Sequence, residues 1–229
     1  MLLLPLIALE ACARADQSVE FFRSENYTFS AGERQGIEEI ANSTFREVRL
    51  LLPGLPARIQ LTVRPGSDVI EETGETGAAM PPDAIMWTVD PQRNGGVDAV
   101  AQKWLRASLF HELHHLARAA RQPPKSLIDH AIHEGMATVF ERDLAGAEVP
   151  WGAYPENIDQ WSDELTRLAD DSSVKDWLYN HPDGRRWIGI KVGTYWVDRA
   201  IAKSGRSVGE FTTLSSAEML ELAGVERSR

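Results

Sequence analysis

His111-Glu112-Leu113-His114-His115 constrains this chain more than any other short stretch. On a helix His111 and His115 stand four residues apart and project from one face, so both imidazoles can reach one metal ion. Glu112 lies about 100° further round, where its carboxylate can reach a water on that ion. The flanks agree with a helix. Asn94-Gly95-Gly96 breaks the preceding segment, and Asp98 is a cap or first-turn acid. Val97, Val100, Ala101, Trp104, Leu105 and Leu109 recur at helical spacing, Leu116, Ala117, Ala119 and Ala120 extend the run, and Pro123-Pro124 ends it. The competing reading is a helix with two core histidines satisfied by hydrogen bonds. The Glu between them, at this spacing, favours the metal.

A catalytic zinc site needs a third protein ligand and leaves a fourth position to water. Ser126 caps a second helix, about Leu127 to Leu144, closed by Gly146. Its apolar face contains Leu127, Ile128, Ala131, Ile132, Gly135, Met136, Val139 and Phe140, and Glu134 sits among them. A carboxylate beside an apolar face is costly unless it is paired or bound to metal. Gly135 next to it lets another backbone approach closely. His111, His115 and Glu134 are therefore the expected zinc (Zn2+) ligands. Glu112 is the general base that takes a proton from water and returns it to the leaving amine.

Other uses of the motif can be checked. A metzincin needs Gly and His three and six residues after His115, where this chain has Arg118 and Arg121. A deformylase-like site needs a ligand Cys, and Cys12 lies in the apolar N-terminus; the inverted H-x-x-E-H is absent. Glu134, nineteen positions beyond His115, leaves a gluzincin-type arrangement. His130, one turn before Glu134, is expected beside the ligands or along a cleft, and His114 is expected to face solvent or a neighbouring loop.

The rest of the chain frames this site. Its 229 residues suit one medium domain, and a net charge of −10 with no basic stripe excludes a nucleic-acid binder. Residues 1–28 form an N-terminal segment and 29–229 the domain that carries the site. The run Leu2 to Leu9 followed by Glu10-Ala11-Cys12-Ala13 is similar to an exported leader with a lipidation box at Cys12, which is the only route to a membrane. It has no basic start, and Glu10 is unusual there, so an amphipathic first helix and a cytoplasmic chain remain equally open beside a periplasmic or lipid-anchored one. One Cys permits no internal disulfide. Phe21 to Tyr27 reads as a connector. Ser30 and Glu33 form a capping box for a helix that closes at Pro53-Gly54. Ala57 to Val63 and Ala84 to Val89 read as strands, and Pro65 to Pro82 as a loop. The strand just before the His helix is either the edge on which an extended peptide pairs or an ordinary core strand. Helices follow near Ile158 to Ala169 and Arg186 to Lys203, with a last one capped by Ser215 and Glu218.

His111-Glu112-Leu113-His114-His115 with Glu134-Gly135-Met136-Ala137 resembles a bacterial family of predicted zinc-dependent proteases, whose motifs are H-E-x-H-H and E-G-x-A. Trp187-Ile188-Gly189-Ile190-Lys191-Val192-Gly193 is similar to that family's W-x-G-Y-x-x-G segment, and the likeness runs from about Ser30 to Gly224. The resemblance implies an α+β, gluzincin-like zincin domain: a small sheet packed on several helices with the H-E-x-x-H helix central. It also implies peptidase activity on a peptide or protein substrate. Ile190 stands where the family has Tyr, and Thr138 stands where other gluzincins place an acid that orients a zinc ligand. Tyr195 and His181 are then the candidates for polarising the substrate carbonyl. Two rival functions remain: a zinc-containing but inactive partner-binding module, and a lipid-anchored surface protein with a structural zinc.

Overall fold

Alternating apolar residues build a four-stranded sheet. In β2 (Ile59–Pro65), Ile59, Leu61 and Val63 are buried while Gln60 and Thr62 lie on the other face. β4 (Ala84–Val89) buries Ile85, Trp87 and Val89 in the same way. β1 (Gln17–Phe21) and β4 flank β2, both parallel to it, and β3 (Glu75–Met80) pairs antiparallel with β4, giving the order β1-β2-β4-β3. The computed structural model describes residues 17–119, 121–168 and 172–226. Cys12 and the apolar run before it, the lipid-anchor candidate, lie outside the described residues.

Two expectations change here. Residues 75–80 fall in the stretch read as a loop, yet they form β3, the outer strand. Its composition, Glu-Thr-Gly-Ala-Ala-Met, lacks the β-branched alternation that marks a strand in sequence; pairing with β4 supplies what propensity does not. β4 therefore lies inside the sheet, and the free edge beside the His helix belongs to β3. The sheet also takes in residues 17–21, which the sequence assigned to the N-terminal segment.

The helices pack around this sheet. α1 (Ala31–Leu51) opens on the expected box, with Ser30 Oγ accepting from the Glu33 N–H and the Glu33 carboxylate accepting from the Ser30 N–H. α2 (Gly96–Val100) passes through a π-turn (Ala101–Leu105) into α3 (Arg106–Ala119) without leaving right-handed helical geometry. α4 (Leu127–Leu144) lies against α7 (Ile188–Ser204) at backbone contact distance. A Cβ built on Gly193 would come within 1.8 Å of the Ala131 carbonyl oxygen, and one on Gly135 within 2.1 Å of the Gly193 carbonyl carbon. The close approach read from Gly135 is thus present, and Gly193 is its counterpart. α5 (Ile158–Thr166), α6 (Val174–Leu178), a 3₁₀ turn (Val208–Thr213) and α8 (Ser216–Ala223) complete the helical layer. Among the described residues no helix is long and apolar enough to cross a membrane.

Candidate metal centre

α3 and α4 bring three donor groups together. His111 Nε2 lies 3.3 Å from Glu134 Oε2, and His115 Nε2 lies 3.6 Å from Glu134 Oε1. One ligand atom from each of the three residues falls within 4.8 Å of the others. A tetrahedral ion with bonds of about 2.0–2.1 Å holds its donors about 3.3–3.5 Å apart, so two imidazoles and a carboxylate at these separations fit a divalent metal. The three side chains are only 11, 17 and 16 % exposed for His111, His115 and Glu134. Burial makes a bare carboxylate here costly, and a cation facing it restores the balance. Glu134 is nevertheless held well below the usual carboxylate range: burial works to raise it, and the His115 and His111 rings outweigh that.

An acid beside His111, absent at Thr138, is present at Glu141. Its Oε2 lies 3.1 Å from His111 Nδ1 and accepts a second bond from Trp151 Nε1 at 3.3 Å. Occupying Nδ1 this way sets the ring so that Nε2 faces Glu134. Burial would lower the His111 pKa, but hydrogen bonds to Glu134 and Glu141 carry it well above the ordinary histidine value. Glu141 lies seven residues beyond Glu134, two helical turns along one face; that spacing is the signal that could have found it.

Glu112 lies against β3. Its Oε2 accepts the Ala79 N–H at 2.7 Å. A Cβ on Gly77 would lie 2.7 Å from Glu112 Cγ and Oε1 and from Ser108 Oγ, so Glu112 occupies the space that a side chain at 77 would fill. At the start of β3 Glu75 is buried, accepts from Trp87 Nε1 at 2.7 Å, and is pushed up to about 7 by that burial.

These groups line one cleft of about 990 Å³, together with His130, His133, Tyr179, Trp187 and Ile190. His130 thus lies where the sequence places it. Trp187 adopts a left-handed backbone, φ 57°, at the start of α7, a strained conformation for a large residue. The Arg186 guanidinium covers its ring at 4.0 Å. Ile190 faces the cleft at the position where the resembling family has Tyr.

Tyr195 and His181 are not brought to this cleft. The Tyr195 hydroxyl donates to Asp159 Oδ1 at 2.5 Å, and the His181 ring is engaged by Asp183 at 2.8 Å and packs on Trp177 at 4.5 Å between centroids. Tyr179 lines the cleft instead, and its phenol is raised above its ordinary value, first by the Glu134 charge, then by burial and by Glu112. It lies in no periodic pattern, so sequence offered no signal for it. His114, expected at the surface, is fully buried with its ring 5.4 Å from Phe140, and among the described residues neither ring nitrogen has a hydrogen-bond partner. Burial, with the nearby Arg118 charge, keeps it well below the ordinary histidine value and so neutral. The buried Arg118 in turn donates through Nη1 to the carbonyls of Phe211, Thr212 and Leu214, tying α3 to the 3₁₀ turn and its exit.

Over residues 37–221 the chain matches the family described as predicted Zn-dependent protease (DUF2268). No curated protein matches it.

Proposed function

The chain belongs to this family of predicted Zn-dependent proteases, and on that premise we propose that it is a zinc metallopeptidase hydrolysing peptide bonds. The observation that carries the reading is the convergence of two imidazoles and a buried carboxylate beside Glu112, on the floor of a cleft whose wall is a free sheet edge. His111, His115 and Glu134 would hold the ion. When bound, zinc acidifies a water and polarises a carbonyl oxygen.

The chain's own groups do the rest. An extended peptide adds to the β3 edge, whose backbone groups fix its register. The Ala79 N–H holds Glu112 Oε2, leaving Oε1 to take a proton from the attacking water and pass it to the departing nitrogen. The Tyr179 hydroxyl, kept protonated by the negative charge around it, donates to the substrate oxygen as charge develops there. Glu141 keeps His111 in the orientation that serves the ion.

The Glu112→Gln variant tests the assignment. It should keep one equivalent of zinc by elemental analysis and lose about 10²–10⁴-fold in turnover of a peptide library. Unchanged turnover removes Glu112 from its role. Full zinc content with no hydrolysis by the unaltered protein would instead favour the partner-binding module.

A further inference from the structure

We infer that the cleft is closed at one end by the chain itself, so that peptides are cut near their C-terminus rather than within a long chain. This deepens the peptidase reading and rests on it.

The free edge of β3 is short. Ala79 turns its N–H to Glu112, and the Glu75 carbonyl accepts from Ile70 N at 3.1 Å. Both groups point away from β4, so by the two-residue alternation of an antiparallel pair Gly77 turns its N–H and carbonyl to the same side. The outer position at Glu75 is already filled by the Ile70–Glu75 antiparallel bridge. An incoming strand therefore meets the Gly77 N–H and the Ala79 carbonyl, with the Ala79 N–H held by Glu112 and the Gly77 carbonyl shared with the Thr76 hydroxyl, and it meets Ile70 where Glu75 would be its next partner.

The turn between Ile70 and Glu75 is pinned in place. Arg93 Nη2 donates to the Glu71 carbonyl, and Glu72 pairs with Arg186, which stands on the opposite wall next to Trp187. That pair joins the two walls at the Glu75 end. Towards Met80 the cleft continues past Pro81 to Ala119, Pro123 and Pro124. Ser108 lies against Gly77, and Glu112 lies against Gly77 and Ala79, so α3 and β3 run in the same direction along the cleft. The reacting bond, beside Glu112, is then one pairing position from the closed end.

Antiparallel pairing makes the better hydrogen bonds. A peptide so paired directs its C-terminal side towards Glu75, the end at which Glu71 lines the cleft and Arg186 meets Glu72. Water adds its oxygen to the scissile carbonyl carbon and the C–N bond breaks. The upstream fragment leaves as a carboxylate, and the released terminal residue or short peptide leaves as an amine carrying the transferred proton.

Zinc-loaded protein should be given unstructured synthetic peptides with free or acetylated N-termini and free or amidated C-termini, and the products read by mass spectrometry. Release of the last residue or two, whatever the N-terminal group, is the expected result. Cuts spread through the interior, or confined to the N-terminal end, would overturn the inference while leaving peptidase activity standing. Absence of any cut removes the peptidase reading and this inference with it. The second arm is the double variant Glu72→Ala, Arg186→Ala. The pair is a third or more exposed, but Arg186→Ala also uncovers the Trp187 ring, so the double variant is first shown to keep the parent's zinc content and urea midpoint. Cleavage should then move inward from the C-terminus, and an unchanged pattern would overturn the closure assigned to the pair.

Discussion

Glu75 shows how a single buried acid ties stability to pH. It is buried beside Trp87 and Ser108 with its pKa raised from 4.5 to about 7, chiefly by desolvation, against which the bonds from those two residues work only in part. Its folded value lies above its unfolded one, so the folded chain holds the proton more tightly. The stability it contributes is complete below about pH 4.5 and is lost as pH rises through about 7. The whole effect is about 3 kcal/mol. Glu75→Gln keeps a neutral group in the pocket and should remove this slope. Urea midpoints of the two proteins should run parallel at pH 4 and diverge by pH 8, with the variant the more stable; parallel curves throughout would show Glu75 ionising freely. At this scale His111, Glu112 and His115 were legible from their i, i+1 and i+4 spacing on one helix, and Glu134 from its place among apolar residues on the next. Glu141 was hidden by the expectation of an acid one turn after Glu134. Tyr179 follows a five-residue helix whose position depends on packing against α7, which no local pattern encodes.

Between elements, the glycines separate positions that serve the fold from positions that serve the site. At Gly193 an added methyl meets backbone, the Ala131 carbonyl oxygen, which cannot yield without parting α4 from α7. At Gly77 it meets only side-chain atoms, Glu112 Cγ and Oε1 and Ser108 Oγ, which can move. Gly193→Ala should therefore lose about 1–3 kcal/mol or more in denaturant unfolding. Gly77→Ala should stay within about 1 kcal/mol of the parent and retain zinc, while turnover falls about ten-fold or more because Glu112 is displaced. Equal loss of stability in both, or full turnover in the second, would refute this division. Gly135 signalled the helix contact because a glycine on the apolar face of a helix costs stability unless a second backbone packs into the space it leaves. Gly77 gave no such signal: it stands in a run of Gly, Thr, Glu and Pro that composition alone reads as a loop, and β3 exists because β4 pairs with it.

For the molecule as a whole, the ion is expected to complete a site that the fold has already built. Among the described residues the buried apolar side chains form one cluster from the sheet through α3, α4 and α7 to α8, so the two helices that carry the three donor groups are held by the core. Glu134 lies between two imidazoles, and hydrogen bonds to Glu134 and Glu141 hold the His111 pKa well above the ordinary value, so a proton on that ring can balance the carboxylate when no ion is bound. Chelation should accordingly leave the far-UV circular dichroism and the cooperativity of unfolding unchanged. It should remove the ligand's linkage contribution, about 4 kcal/mol if free zinc had stood at about a thousand times its Kd. Because the metal must displace that proton from His111, zinc affinity should also weaken as pH falls. Collapse of the helical signal on chelation would mean instead that the ion holds α3 to α4. The centre would then be structural, and Glu112 would be left beside it without a reaction to serve.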